Sequence, residues 1–231
     1  MKIIKLICFV WLLFIPTLSH AGVTKITSLP FTISTSGNYE LVGNLTANST
    51  DGIDVMASNV VINLNGFSIA QSSAGNNYGV FDPSSSNVVI ENGTISGFLF
   101  GIILGDVSPS PAVNCTAQHL RVLGPQSMLI CGNDCLVENC VLIGTGVDAQ
   151  DVGILMTALD CQVQNCTISQ LTIGVQDTDS SNSNVFIHNY IASCAVGLEL
   201  GEKDYYQGNV VTNCTSAFSS GNAVGTENGG Y

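Results

Sequence analysis

Acidic side chains are the residues of this chain best placed to do chemistry. Asp148, Asp151, Asp177 and Asp179 fall near consecutive positions of the repeat described below. Carboxylates grouped this way can hold Ca²⁺ through hard oxygen ligands, or divide into a general acid and a general base. Asp148, Asp151 and Asp177 are therefore the candidate catalytic residues, and Ca²⁺ is the one cofactor they suggest. The competing reading is a set of solvated turn carboxylates. Basic partners are scarce. Beyond residue 21 the chain has one arginine, Arg121, two lysines, Lys25 and Lys203, and two histidines, His119 and His188. No C-x₂-C pair is present, and a single file of cysteines is not tetrahedral, so a zinc site is not expected.

A second group of residues could bind rather than react. Glycine followed by an aliphatic recurs as Gly52-Ile53, Gly79-Val80, Gly101-Ile102, Gly153-Ile154, Gly174-Val175 and Gly197-Leu198, with Met128-Leu129 and Ala217-Phe218 filling the same slot. If each aliphatic points into a core, the next residue points out. The outward row then reads Asp54, Phe81, Ile103, Ile130, Leu155, Gln176, Glu199 and Ser219, and this is the candidate ligand-binding face. Four consecutive members are apolar. A strip of that kind marks an interface or groove, unless the long connections 70–78 and 105–112 fold over it.

The elements that hold these residues follow from internal repetition. The segments beginning Asn59, Asn87, Asn114, Asp134, Asp160, Asn184 and Gly208 share one pattern, with their fourth residues at 62, 90, 117, 137, 163, 187 and 211. Two independent series with one period of 20 to 28 residues define a solenoid. Short β-branched runs with two-residue alternation are strands, and no helical spacing persists. The expected fold is all-β, a single-stranded right-handed parallel β-helix of about eight rungs. Asn92, Asn139, Asn165, Asn189 and Asn213 recur two residues after the fourth position. They are read as a structural ladder, at turns facing the core, each amide bonded to the Asn of the next rung. Three of these, Asn92, Asn165 and Asn213, sit in glycosylation sequons that a ladder role would close. Cys115, Cys135 and Cys161 form one column, and Cys140, Cys166 and Cys214 another, with Cys214 two rungs from Cys166. Cys131 and Cys194 have no evident mate. Adjacent members could bridge or simply stack as small polarizable side chains.

The chain is expected to divide into a signal peptide (1–21), an N-terminal cap (22–48), the solenoid (49–220) and a flexible tail (221–231). Lys2 and Lys5, an apolar run from Ile7 to Ile15, and Ser19-His20-Ala21 make the leader, too short to span a bilayer; no later segment is apolar enough to do so. Without the leader, three basic residues face 17 acidic ones, a net charge of −14. Such a surface repels nucleic acid and anionic polymers. The expected location is secreted or periplasmic.

With these residues in view, the chain resembles the pectate-lyase-like superfamily of right-handed β-helix proteins, and within it the carbohydrate-binding and sugar-hydrolase, NosD-like repeat group. The likeness rests on Ile26 to Leu45, followed by Gly52 to Ile69, and extends over residues 23 to 220. It implies ligands along one strand face, and a polysaccharide or surface protein as partner. A lyase of this kind needs Ca²⁺-binding carboxylates and a basic residue, but Arg121 falls on a different strand from the outward row. A hydrolase of this kind needs a Gly-His-Gly turn, which is absent. Three functions follow as expectations: a glycan-binding or surface-interaction module, a polysaccharide lyase or hydrolase using the acidic cluster, and a purely structural envelope protein.

Overall fold

Short β-branched runs build every element. In Val60–Asn63, Val60 and Ile62 are buried while Val61 and Asn63 are half-exposed, as a strand with one face on a core requires. The computed structural model describes residues 22–72, 75–105, 112–130, 132–145, 151–178 and 183–220, with the backbone of strands Val224–Thr226 and Gly229–Gly230. Asp148, Asp179, Cys131 and the expected leader lie outside the described residues. Among those described there is no helix, hence none long and apolar enough to cross a membrane.

The fold is a parallel β-solenoid with three faces. The first face stacks Thr24–Ile26, Gly37–Leu41, Val60–Asn63, the first halves of Val88–Ser96 and Thr116–Leu123, then Leu136–Glu138, Gln162–Gln164, Val185–Ile187, Tyr205–Gln207 and Val224–Thr226. The second face stacks Leu45–Ala47, Ser68–Gln71, the second halves of the same two long strands, then Val141–Ile143, Thr167–Ser169, Tyr190–Ala192, Val210–Thr212 and Gly229–Gly230. The two long strands bend round the corner between these faces, so both count as one 17-stranded sheet. The third face is a separate nine-stranded sheet: Phe31–Ile33, Ile53–Val55, Tyr78–Asp82, Phe100–Leu104, Gln126–Ile130, Val152–Met156, Ile173–Asp177, Val196–Leu200 and Ser216–Ser220. Every inward column is in register from turn to turn, for example Val80, Ile102, Met128, Ile154 and Val175 on the third face. All five are essentially inaccessible.

Three pairings refine the expected organisation. The cap strands are in register with the rest: Thr24–Ile26 pairs with Gly37–Leu41, and Phe31–Ile33 with Ile53–Val55. Pairing also continues past residue 220, where Val224–Thr226 lies on Tyr205–Gln207 and Gly229–Gly230 on Val210–Thr212. Main-chain hydrogen bonds extend a ladder whatever the side chains, so a Gly/Asn-rich composition does not by itself end the pairing. Finally, Val185–Ile187 pairs with Tyr205–Gln207 rather than with the Val210 segment, which belongs to the second face beside Tyr190–Ala192.

Candidate functional site

The glycines of the third face fix its register. A Cβ on Gly52 would lie 2.4 Å from the Gly79 carbonyl oxygen, one on Gly153 2.4 Å from that of Gly174, and one on Gly197 2.6 Å from that of Ala217. Successive turns approach too closely there for most side chains. In the fifth turn the tight slot is held by Ser127, since Met128 pairs with Ile102 and Ile154. The outward residue of that turn is therefore Leu129. Ile130 points into the core and is 1% exposed, which corrects the row by one residue at that turn: a serine is also small enough for the slot.

The outward row runs Thr32, Asp54, Phe81, Ile103, Leu129, Leu155, Gln176, Glu199, Ser219. It is not an open strip. Phe81, Leu129 and Leu155 are half-buried and Ile103 is only 4% exposed. Its N-terminal part carries the most distinctive chemistry. Tyr78 and Phe100, neighbours in the parallel outward column, join Phe81 in an aromatic patch. The Tyr78 and Phe81 rings stack at 4.8 Å with a 20° interplanar angle, and Tyr78 lies 5.8 Å from Phe100. Two carboxylates border it. Asp51 Oδ1 accepts the Tyr78 N–H at 2.8 Å. Asp54 is the register neighbour of Phe81; its Oδ1 is buried and meets no hydrogen-bond donor among the described residues. Burial, then the nearby Asp51 charge, raises the Asp54 carboxyl above the usual carboxylate range. At the other end, Gln176 Nε2 donates to Glu199 Oε2 at 3.1 Å.

The corners carry the asparagines. Asn92, His119, Asn139, Asn165, His188 and Gly208 all have positive φ, between 53° and 63°, at the bend between the first and second faces. The side chains of Asn92, Asn139 and Asn165 are exposed there, so the expected inward ladder is corrected: the left-handed turn, not a buried amide column, selects them. Asn189 is not in this set. His188 takes its place and Asn189 is inside, 1% exposed. Asn213 belongs to a third corner with Gln170 and Ser193. The sequon asparagines Asn92, Asn114, Asn165 and Asn213 are therefore all exposed. Amide-to-amide bonding between turns does occur: inside, the ladder candidate Asn189 donates from Nδ2 to Asn209 Oδ1 at 3.0 Å, and at an exposed corner Asn87 Nδ2 donates to Asn59 Oδ1 at 2.9 Å and Asn114 Nδ2 to Asn87 Oδ1 at 2.7 Å.

One residue at each corner points inward, in most turns directly after the left-handed residue, and these positions form three columns, buried except at Cys214. The first contains Cys115, Cys135, Cys161, Asn184 and Asp204; the second Leu120, Cys140, Cys166, Asn189 and Asn209; the third Leu171, Cys194 and Cys214. Cys194 and Cys214 are thus neighbours, and Cys214 does not belong with Cys140 and Cys166. Asp204, absent from the candidates drawn from sequence, is fully buried. It accepts the Asn184 N–H at 3.0 Å and the Gly201 N–H at 2.7 Å. Asn184 Nδ2 donates to Asp177 Oδ2 at 2.7 Å, so two buried carboxyls meet around one amide. Burial and the Asp177 charge push Asp204 up to about 7. No sequence pattern flagged Asp204, because it takes a position that cysteine fills in earlier turns.

The two members of the acidic cluster that are described, Asp151 and Asp177, do not come together. Asp151 lies just before Val152–Met156, is 2% exposed, and accepts from Thr145 Oγ1 at 3.3 Å. Asp177 is the register partner of Met156 at the far end of that strand, and is 6% exposed. Five strand steps of about 3.3 Å put the two roughly 16 Å apart. They cannot act as an acid/base pair, nor as ligands of one Ca²⁺. Among the described residues, no three His, Cys, Asp or Glu side chains are arranged to hold a metal ion. Beside Thr145, a groove of about 550 Å³ is lined by Phe98, Leu99, Leu123, Pro125 and Ile143 over Gly97, Gly124 and Gly144. No protein-family model matches the chain, and no curated protein matches it.

Proposed function

We propose that this chain is an exported glycan-binding or surface-interaction module of the pectate-lyase-like superfamily, whose binding surface is the N-terminal part of the third face. The observation that carries this reading is the Tyr78–Phe81–Phe100 patch bordered by Asp51 and Asp54. A pyranose presents a C–H face and a rim of hydroxyls. Aromatic rings take the first, as large rigid contact area at small entropic cost. Border carboxylates accept hydrogen bonds from the second, and Asp54 is half-buried rather than sealed at that border. Parallel strands hold both groups on a rigid scaffold. The net charge of −12 selects neutral glycans over acidic ones. Asp151 and Asp177, buried and far apart, supply no acid/base pair, so the reading needs no turnover.

The test is binding of the purified chain to a panel of neutral and acidic polysaccharides, with Phe81→Ala and Asp54→Asn beside the parent. Binding to a neutral glycan should fall about tenfold or more in each variant while circular dichroism stays unchanged. Equal binding by parent and variants would remove the patch from the site. Release of reducing ends or unsaturated products by the parent would replace the binding reading with an enzymatic one.

A further inference from the structure

Seven cysteines among the described residues are free thiols stacked in the three corner columns, and they differ in access. Cys115, Cys135 and Cys161 are 0–2% exposed, and Cys140 and Cys166 are each 1% exposed. Cys214 alone is half-buried rather than buried. It sits one turn from Cys194 in the third column, which is itself 4% exposed. Ser193 and Asn213, with φ of 56° and 53°, deliver the two cysteines into the same pose. Cys194 Sγ donates to the Ala192 carbonyl at 3.4 Å and Cys214 Sγ to the Thr212 carbonyl at 3.5 Å, and Ala192 and Thr212 are register partners. The two residues are therefore related by one turn of about 4.8 Å, inside the Cα separation of about 4.4–6.8 Å that a disulfide accepts. The Cys194 N–H already donates to Cys214 Sγ at 3.4 Å.

We propose that Cys194 and Cys214 form an oxidation site that takes a small-molecule disulfide as co-reactant and closes a bridge between two turns near the C-terminal end. Cys214, the accessible member, loses its proton and attacks one sulfur of the co-reactant. A mixed disulfide forms and one small thiol leaves. Cys194 then loses its proton, attacks the Cys214 sulfur and expels the second small thiol. Two S–H bonds of the protein become one S–S bond, and the two electrons reduce the co-reactant to two thiols. Burial pushes the Cys194 thiol up to about 11, which suits it to the second, intramolecular step rather than the first. The other columns are sealed. In the first, Cys135 stands between two equivalent neighbours, so one thiol there always remains.

Trypsin reads the bridge directly. Beyond residue 21 its sites are Lys25, Arg121 and Lys203, and Cys214 is the single cysteine after Lys203. The folded chain is incubated with oxidised glutathione, its remaining thiols are alkylated in denaturant, and it is digested. Fragments 122–203 and 204–231 should stay joined until a reductant is added, and should separate without reductant in Cys194→Ser. Three results would overturn the assignment: fragments that separate in the parent, glutathione retained on Cys214 alone, or fragments still joined in Cys194→Ser. If the variant fails to fold, a further chymotryptic cut after Tyr190 separates Cys194 from the other five cysteines of fragment 122–203, and Cys214 joined to any of those five in the parent overturns the assignment.

Discussion

At the scale of single residues, the inward columns answer one question: what accepts the backbone N–H that each corner turns away from its sheet. The side chain one turn further on does so. Cys161 Sγ accepts from Cys135 N–H at 3.4 Å, Asn184 Oδ1 from Cys161 N–H at 2.8 Å, and Asp204 Oδ1 from Asn184 N–H at 3.0 Å. The second column repeats this with Asn189 on Cys166 and Asn209 on Asn189, each at 3.0 Å. A buried donor without a partner costs about 1–3 kcal/mol, so thiol, amide and carboxyl are interchangeable there for one physical reason. Of the three, the carboxyl is the group that titrates near neutral pH. Asp204 in the folded chain is raised to about 7 from 3.8. The stability it contributes is fully present below the unfolded value and is lost as pH rises through about 7. Urea unfolding of the parent should therefore show a lower midpoint at about pH 8 than at about pH 6. Asp204→Asn keeps an acceptor oxygen and cannot ionise, so its midpoint should change much less over that window. A parent midpoint that rises with pH would refute the assignment.

At the scale of the element, the glycine slot governs the third face. A Cβ on Gly153 would meet the Gly174 carbonyl oxygen at 2.4 Å and Ile168 Cγ2 at 2.8 Å, whereas one on Gly43 meets nothing within 4 Å. Gly153→Ala should cost about 2–4 kcal/mol through forced separation of two turns. Gly43→Ala should stay within about 0.5 kcal/mol. Comparable losses at both sites in urea titrations would mean that the slot is not close-packed. The same slot shows what sequence made legible. The period and the parallel solenoid could be read because glycine-aliphatic and asparagine-strand patterns recur independently. The register was harder. Ser127 does the work of glycine, so Ile130 was placed outside when Leu129 is. Asn suits both a left-handed corner and an inward cap, so Asn189 was aligned with Asn165 although His188 is its true counterpart. The aromatic patch was only half visible: Phe81 stood in the outward row, while Tyr78 and Phe100 are in a second outward column that one-residue offsets did not reveal. Asp151 and Asp177 are close in turn number but at opposite ends of their strands, a distance that a repeat count does not carry.

At the scale of the whole molecule, stability varies along the axis. In a solenoid each turn is held mainly by its two neighbours, so the ends and weak interfaces open first. The column that begins with Val60 and Val88 passes through Cys115, Cys135 and Cys161 and finishes at Asn184 and Asp204. The second begins at Leu120 and finishes at Asn189 and Asn209. These two corner columns therefore turn from apolar to polar toward the C-terminus, while strand residues such as Phe186, Ile191, Leu198 and Val211 keep an apolar core beside them. Apolar burial in the columns gives way to hydrogen bonds of smaller net worth, about 0.5–1.5 kcal/mol each. Native-state hydrogen exchange should show a gradient. Amides of Val88–Ser96 and Thr116–Leu123, whose long strands span two faces, should be among the slowest, and those of Tyr205–Gln207 and Val210–Thr212 markedly faster, exceeded only toward the ends of the solenoid. Once corrected for the intrinsic pH dependence of exchange, the gradient should steepen between about pH 6 and about pH 8, because Asp204 lies at the weak end and loses its proton in that window. Uniform protection along the axis would show that the turns open together, and that the polar columns are as strong as the apolar ones they replace.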